Sequence, residues 1–271
     1  TLETRAYKIF PTGCTATTGS TTVALVVSNN DPVVTMPAAQ TICEDVNLTL
    51  STGNSNIPSI ADSDGDTQGV TITVTNGTIN LDDVTGLTIN NDGTATVTIT
   101  NDANATIANI NDALDGAVFI PTASFNGTAS VQIATNDGNG GTDTKSFNIT
   151  VNTAPNATLT LSSDATICNG ANSTIILNSS VSGINYQLRN DSDDSNVGSV
   201  VAGTGGNITF DVSPSASTTY NVLATNATTS CNAELTDKVT ITVNDVTGGT
   251  VGSDQSITSG NDVAAFTESV A

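Results

Sequence analysis

Three aspartates stand within five residues, at Asp62, Asp64 and Asp66, and Gly65 lies between the last two. Calcium takes about six to eight oxygen ligands and favours flexible loops that are rich in carboxylates and carbonyls. Glycine permits the tight backbone turn that such a loop needs. The full candidate set for a calcium site is Glu44, Asp45, Asp62, Asp64, Asp66, Asn136, Asp137 and Asp143. Because Asp and Asn also favour turns without any ion, a set of solvated turns is the alternative interpretation.

The charge of the chain limits its partners. There are 26 acidic and 5 basic residues, which give a formal net charge of −21 at pH 7. This charge repels phosphate backbones and anionic membranes but attracts multivalent cations, so we expect neither nucleic acid nor a membrane surface as a partner. No apolar run approaches the roughly 18 residues that a membrane span needs. The sequence contains no histidine, which is the commonest general base, and we expect no enzymatic activity.

Alternating apolar and polar residues predict β-strands through most of the chain. Clear examples are Val70–Val74, Thr96–Thr100, Phe147–Val151 and Val239–Val243. This period of two is typical of sheets with one buried and one wet face. One segment differs, because Ile107, Ile110 and Leu114 have helical spacing and predict one short helix. We therefore expect an all-β protein built from thin β-sandwiches.

A phrase that recurs three times indicates tandem domains. It reads Gln40–Val46, Ala165–Ala171 and Gln255–Asn261, at steps of 125 and 90 residues. Self-similarity at such spacing indicates repeated domains that open with the same strand. The predicted boundaries are 1–31 for the last strands of a preceding domain, 32–152 and 153–244 for two complete domains, and 245–271 for the start of a following one.

The first complete domain resembles the bacterial cadherin-like repeats of long surface adhesins. The resemblance rests on Glu44-Asp45, the Asp62–Thr67 loop, Phe119–Thr128 and the Asn136–Asp143 loop, and it spans residues 33–151. It implies a calcium-binding sandwich in which Glu44, Asp45 and Asp137 meet the Asp62–Asp66 loop at one end. The short helix also occurs in a subset of that family.

The second domain resembles the immunoglobulin-like repeats of adhesins secreted by gliding bacteria. The matching elements are Thr166–Gly170, Ser217–Val222 and Cys231, followed by a final strand. Residues Tyr7–Val27, which contain Cys14, repeat the ending of this domain, and 255–261 repeat its opening. The resemblance implies tandem immunoglobulin/cadherin-like β-sandwiches with one short helix in the first full domain.

Four cysteines in such an acidic chain favour an oxidising, extracellular location. Cys168 and Cys231 stand near the first and last strands of one predicted sandwich, and we expect them to form a disulfide. For Cys14 and Cys43 two alternatives stay open: they pair with each other, or they are free or intermolecular thiols.

Taken together, these features predict a stalk segment of a secreted bacterial cell-surface adhesin, stiffened by Ca²⁺ and acting in adhesion or surface motility. The expected partners are neighbouring repeats or identical subunits, together with surface glycans or other cell-surface proteins. The alternative is a subunit of an extracellular filament, assembled by strand exchange between the partial terminal domains.

Overall fold

The computed structural model of the chain describes residues 29–244. The chain divides into two compact units between Ala154 and Pro155. The first unit is described from residue 29 to 154 and the second from 155 to 244. The partial domain predicted at 245–271, and all but the last three residues of the one predicted at 1–31, lie outside the described residues. Within 29–244 no helix is long and apolar enough to cross a membrane.

The first unit contains eleven strands and one helix among its described residues. They are β1 (Val33–Thr35), β2 (Gln40–Cys43), β3 (Leu48–Thr49), β4 (Ser59–Ala61), β5 (Gly69–Thr75), β6 (Gly77–Asn80), β7 (Ile89–Asn90), β8 (Thr96–Ile99), α1 (Ile107–Leu114), β9 (Val118–Pro121), β10 (Gly127–Asn136) and β11 (Thr142–Asn152). One six-stranded sheet has the order β2-β11-β10-β5-β8-β7. A three-stranded sheet, β3-β9-β6, and the pair β1-β4 complete the unit.

Alternation along β5 and its neighbours builds the core of the first unit. Val70, Ile72 and Val74 are buried, whereas Thr71 and Thr73 between them are partly exposed. Since successive side chains of a strand point to opposite faces, the apolar set faces inward and the threonines face water. The all-β prediction is confirmed, as is the prediction of strands at these positions.

The predicted short helix is also confirmed. Thr106 precedes α1, and its side chain accepts a hydrogen bond from the Asn109 amide at 3.2 Å, which satisfies one of the free N–H groups at the helix start. Ile110, Ala113 and Leu114 are fully buried. The apolar stripe thus packs onto the core as its spacing predicts.

The second unit is a sandwich of two main sheets. Its strands are β12 (Leu161–Ser162), β13 (Thr166–Cys168), β14 (Ser173–Leu177), β15 (Ile184–Asn190), β16 (Val201–Ala202), β17 (Ile208–Val212), β18 (Thr218–Asn226), β19 (Asn232–Glu234) and β20 (Val239–Asn244). One sheet has the order β12-β14-β17 and the other β13-β20-β18-β15-β16, with β19 paired to β18. The core contains Tyr186, Leu188, Val222 and Ile241.

The recurring sequence phrase forms the same structure in both units. Its first copy is β2, which pairs in parallel with the last strand of its unit, β11. Its second copy is β13, which pairs in parallel with the last strand of the second unit, β20. A sequence repeat therefore corresponds to a repeated first strand at the edge of the larger sheet.

The expected disulfide between Cys168 and Cys231 is wrong. Cys168 is an exposed free thiol, whereas Cys231 is disulfide-bonded. Cys168 lies beside Asn244, near the start of β18, and Cys231 follows the end of β18. That strand has 9 residues, so its ends are about 26 Å apart, well beyond the Cα separation of about 7 Å that a disulfide can bridge. Cys43 is disulfide-bonded, and Cys14 lies outside the described residues.

Candidate cation-binding end of the first unit

Three segments of the first unit meet where its central strands begin and end. The β4–β5 loop leads into β5 at Gly69, which pairs with Asn136 at the end of β10. Asn136 in turn pairs with Thr142, so the β10–β11 turn lies at the same end of the sheet. Residues 29–31, which precede β1, reach this end as well. We call this cluster the acidic end, and its members are Asn29, Asn30, Asp31, Asp62, Asp64, Asp66, Asp137 and Asn139.

Asp137 is the buried member of the acidic end, with only 3% of its surface exposed. Its carboxylate accepts hydrogen bonds from the Asn29 side-chain amide at 2.7 Å, the Asn139 backbone at 2.7 Å and the Gly141 backbone at 2.9 Å. Burial alone raises the pKa of this carboxyl, but the hydrogen bonds from Asn29, Asn139 and the Gly140–Gly141 backbone outweigh it and leave the pKa below its ordinary value. Asp137 is therefore a charged carboxylate held in a buried position.

The neighbouring aspartates are held mainly by amides. Asp64 accepts from the backbone N–H of Asn30 at 2.6 Å and from its side chain at 2.8 Å. Asp66 accepts from the side chain of Asn139 at 2.6 Å.

Asp62 belongs to the same loop and shapes it. It accepts from the Asp64 backbone at 3.0 Å and from the fully buried Gln68 side chain at 2.8 Å. The three loop carboxylates thus share one end of the sheet.

Carboxylate oxygens of Asp31 and Asp137 both lie close to Gly141. A Cβ atom placed on Gly141 would stand 2.3 Å from Oδ2 of Asp137 and 3.0 Å from Oδ1 of Asp31. Only a residue without a side chain fits here, because Asp137 Oδ2 and both the Cα and the Oδ1 of Asp31 lie close to Gly141. This is the structural feature that most favours a bound cation.

Sequence reasoning missed Asn29, Asn30 and Asp31. The predicted boundary between residues 31 and 32 divides these residues from the loops that they contact. A run of two amides and an acid immediately before Pro32 and the first strand was the available signal. That signal identifies oxygen donors but not the loops they would meet.

Two residues of the predicted set have structural partners at the same end. Asp143 accepts from the Val34 backbone at 2.8 Å and the Thr144 backbone at 2.7 Å, and its other neighbour is the Lys145 amine at 3.4 Å. Chiefly the Val34 hydrogen bond lowers the pKa of Asp143, against a smaller opposing effect of burial. Asn136 accepts from the Gly138 backbone at 2.7 Å. Asp143 thus ties β1 to β11, and Asn136 shapes the turn.

The prediction that Glu44 and Asp45 lie beside this loop is wrong. Because β2 runs parallel to β11, Glu44 follows Cys43 at the far end of β11, where its N–H donates to Asn152. β11 has 11 residues, so its ends are about 33 Å apart. Asp45 instead accepts a hydrogen bond from the Ser124 backbone at 2.8 Å.

The donor set of the acidic end fits calcium in kind. Carboxylates and amide oxygens are the ligands that calcium prefers, and both are present. Among residues 29–244, however, no three acidic or cysteine side chains are arranged around one point as metal ligands would be. In this structure the carboxylates accept hydrogen bonds from the Asn side-chain amides. Rotation of an Asn side chain about χ2 exchanges the positions of its NH₂ group and its oxygen. Cation binding would therefore require the amides to reorient.

No protein-family model matches the sequence, and no curated protein matches it either.

The chain is similar to several solved structures, all at low identity. A protein of Corynebacterium diphtheriae described as membrane-anchored is 12% identical, with a TM-score of 0.29; the alignment covers 83% of this chain and 56% of that one, so this chain spans about half its length. The C-terminal domain of the AgI/II polypeptide BspA of Streptococcus agalactiae is 9% identical, with a TM-score of 0.34, covering 78% and 99%. The Ig1-2 module of the Drosophila receptor tyrosine phosphatase DLAR is 9% identical, with a TM-score of 0.23, covering 79% and 100%. At TM-scores this low, the similarity supports no inference about function.

Proposed function

We propose that this chain is a structural segment of an extracellular cell-surface protein, and that its first unit binds Ca²⁺ at the acidic end. Tandem β-sandwich units suit a stalk that places other domains at a distance from the cell. The disulfide-bonded Cys43 and Cys231 support an oxidising location, because thiols stay reduced in most cytosolic proteins. The role is mechanical rather than catalytic, and the absence of histidine from the sequence supports this.

The observation that carries the calcium proposal is the pair of carboxylates at Gly141. Asp137 is buried and charged, and Asp31 shares its space, so their mutual repulsion is an unfavourable contribution to folding. In the described part of the chain, no Lys or Arg forms an ion pair with Asp31, Asp62, Asp64, Asp66 or Asp137. A divalent cation would offset this repulsion and order the three segments together.

Calcium would act on stability by binding the folded unit and not the unfolded chain. Such a ligand stabilises by about 2.7 kcal/mol when its free concentration is 100 times its dissociation constant. We expect thermal unfolding of the chain in chelator to begin at a lower temperature than in millimolar calcium. Stiffening of an otherwise self-repelling stalk would follow from the same binding.

The test compares two charge-neutralising variants. Asp64→Asn should reduce the calcium-dependent rise of the melting temperature, since Asp64 belongs to the acidic end. Glu44→Gln is the matched control, because it removes one negative charge at the opposite end of β11. Equal calcium responses in the wild type and both variants would contradict the proposed site, as would a melting temperature that calcium leaves unchanged.

The second candidate function is a subunit of an extracellular filament. The specific observation that favours it is the exposed free thiol of Cys168, in a chain whose Cys43 and Cys231 are disulfide-bonded. Strand exchange between terminal segments, the assembly mode expected from the sequence, concerns residues outside the described range.

A further inference from the structure

The outer surface of the six-stranded sheet consists of uncharged side chains. Ile72 of β5 and Val131 and Ile133 of β10 are buried in the core, so the residues that alternate with them point outward. The pairing of β8, β5, β10 and β11 aligns these outward positions in rows across the sheet. We call this surface the neutral face. It comprises the odd-numbered residues 69–75 and the even-numbered residues 96–98, 128–136 and 142–150, which are Thr, Ser, Asn, Gln, Ala or Gly.

The neutral face carries no charge, although the formal net charge of the chain is −21. Even Asp143 and Lys145 of β11 are odd-numbered, so they point to the other side of the strand. Two copies of the chain repel each other wherever their carboxylates approach. Through the neutral face they can meet without opposing a pair of like charges.

The second unit shows that a sandwich of this kind does not require an uncharged outer surface. On the outer surface of its larger sheet, Arg189 of β15 forms an ion pair with Glu234 of β19. Asn221 of β18 joins them through its side-chain amide. The lack of charge on the neutral face is therefore a property of that surface and not of the fold.

The neutral face is large enough for a specific contact. β10 has 10 residues and is about 33 Å long, and four strands about 4.8 Å apart are about 19 Å wide. The planar area is therefore on the order of 600 Å². Standard protein–protein interfaces bury about 800 Å² on each partner, so this area suits a weak but specific dimer.

The neutral face combines a hollow with a protruding side chain. The hollow has a volume of about 540 Å³ and is bordered by Thr71, Thr98 and Thr144, with the short side chain of Ala134 among them. Gln132 stands two residues earlier on the same side of β10 and is exposed. In the described part of the chain, its amide has no hydrogen-bond partner. A long polar side chain thus lies one row away from a space that could receive it.

We propose that the neutral face binds the neutral face of a second copy of this chain, related by a two-fold axis that crosses β10 between Gln132 and Ala134. The two β10 strands then run antiparallel across the interface, and Gln132 of each copy enters the hollow at Ala134 of the other. Such an isologous contact uses the same surface on both copies and closes at the dimer. Stacked sheets keep their strand directions within about 30° of each other, which this arrangement allows. The contact uses no carboxylate, so the proposal is independent of calcium binding.

The salt dependence of the dimer follows from the charge. The repulsion between two chains of net charge −21 opposes association, and salt screens it. We expect a tighter dimer in about 0.5 M than in about 0.05 M sodium chloride, because the contact itself contains no ion pair that salt could weaken.

The test is sedimentation equilibrium of the whole chain with chelator and dithiothreitol, at concentrations up to about 1 mM, where weak complexes form. We expect a monomer–dimer equilibrium. Thr73→Asp brings like charges into the contact from both copies and should raise the Kd at least about tenfold. Thr209→Asp is the matched control, because it adds the same charge to an exposed strand threonine of the second unit. Gln132→Ala adds no charge and should weaken the dimer by a smaller factor.

Methyl NMR of the wild-type chain provides a measurement that does not depend on the variants folding. On dilution from about 1 mM to about 0.05 mM, the signals of Thr71 and Ala134 should shift and that of Thr209 should not. The proposal is overturned if the wild type stays monomeric, if Thr73→Asp and Gln132→Ala dimerise as tightly as Thr209→Asp, or if salt weakens the dimer. It is also overturned if Thr71 and Ala134 respond to a neutral oligosaccharide and not to dilution, which would assign the neutral face to a glycan.

Discussion

The two units stabilise their clustered carboxylates with different partners. In the second unit, Arg189 forms ion pairs with Asp194, at 3.1 Å, and with Glu234, and Lys238 pairs with Asp191. The Arg189 side chain is only 13% exposed, so these ion pairs are partly shielded from water. In the first unit, the carboxylates of the acidic end are held by amides and backbone N–H groups.

A buried asparagine joins the charged network of the second unit. Asn221 is 1% exposed, and its amide donates to Asp191, Asp194 and Glu234 at 3.0–3.3 Å. Its oxygen accepts from Arg189 at 3.3 Å. The chain therefore supplies two cations, from Arg189 and Lys238, and one amide to these three carboxylates.

This difference indicates where a solvent cation matters. The second unit carries two of the chain's five basic residues inside its acidic cluster, whereas the described part of the first unit has only Lys145, paired with Asp143. Amides can satisfy the hydrogen bonds of a carboxylate but cannot neutralise it. We therefore expect calcium to stabilise the first unit and to leave the second unaffected.

The largest effect is expected from Asp137→Ala. This change leaves the Asn29 amide and the Asn139 and Gly141 N–H groups without their acceptor in a buried site, at a cost of about 3 kcal/mol of unfolding free energy. Urea unfolding followed by amide hydrogen exchange in peptides of the first unit measures it. Asp137→Asn is the control that keeps the shape of the side chain and one acceptor oxygen. A loss below about 1 kcal/mol for alanine would show that these groups find other partners.

Arg189→Ala tests the second unit in the same way. Removal of the guanidinium leaves Asp194 and Glu234 facing each other around Asn221, and we expect a loss of about 2 kcal/mol, with Arg189→Lys recovering part of it. Tyrosine fluorescence is a suitable readout, since Tyr186 and Tyr220 lie in the core of this unit. Calcium should not rescue Arg189→Ala. Rescue by calcium would contradict the expectation that calcium stabilises only the first unit.

Gly141→Ala places a methyl group against Asp31 and Asp137. The added Cβ would clash with Asp137 Oδ2, and we expect a loss of about 1–2 kcal/mol together with loss of the calcium response. Gly53→Ala is the matched control, because its Cβ would meet nothing closer than the Ser51 hydroxyl at 3.9 Å. Calcium titration of melting temperature separates the two variants. A full calcium response in Gly141→Ala would place any cation elsewhere.

The smallest effects concern pH, and Asp137 and Asp143 of the first unit act with the opposite sign to Lys238 and Tyr220 of the second. The lowered pKa values of Asp137 and Asp143 contribute stability above the unfolded value of about 3.9, which is lost as pH falls through the lower folded values. A hydrogen bond to Asp191 raises the pKa of Lys238, and burial raises the pKa of Tyr220. Their contributions are present at neutral pH and are lost as pH rises above about 10.

Hydrogen exchange at pH 3 and at pH 10.5 distinguishes these effects. We expect acid to open the first unit preferentially and alkali the second. Asp143→Asn should reduce the acid sensitivity of the first unit, because its carboxyl no longer titrates. The reverse order of opening would contradict the assignment of these groups.

Local features of the fold could be predicted from the sequence. The strands around Val70–Val74 and the helix at Ile107–Leu114 follow from periodicity, which depends only on neighbouring residues. The sequence identifies both the Asp62–Asp66 loop and Asp137 as candidates, and the pairing of β5 with β10 and of β10 with β11 brings them to one end of the sheet.

Non-local pairing could not be predicted, and it accounts for both errors. Periodicity does not distinguish parallel from antiparallel pairing of an edge strand. The parallel pairing of β2 with the last residues of β11 places Glu44 and Asp45 at the end of the sheet opposite the acidic end. The same pairing of β13 with β20 keeps Cys168 away from Cys231. Both errors concern where a short edge strand pairs along its sheet, since β2 pairs with residues 149–152 of β11 and β13 pairs with residues 242–244 of β20.

The most direct test of the calcium proposal is amide hydrogen exchange of the wild-type chain, with saturating calcium and with chelator. We predict that calcium slows exchange in residues 29–31, 62–68 and 137–141, and that peptides covering Asp191, Asn221 and Glu234 exchange at the same rate in both conditions. Equal exchange in the three loop segments, or protection confined to the second unit, would contradict it.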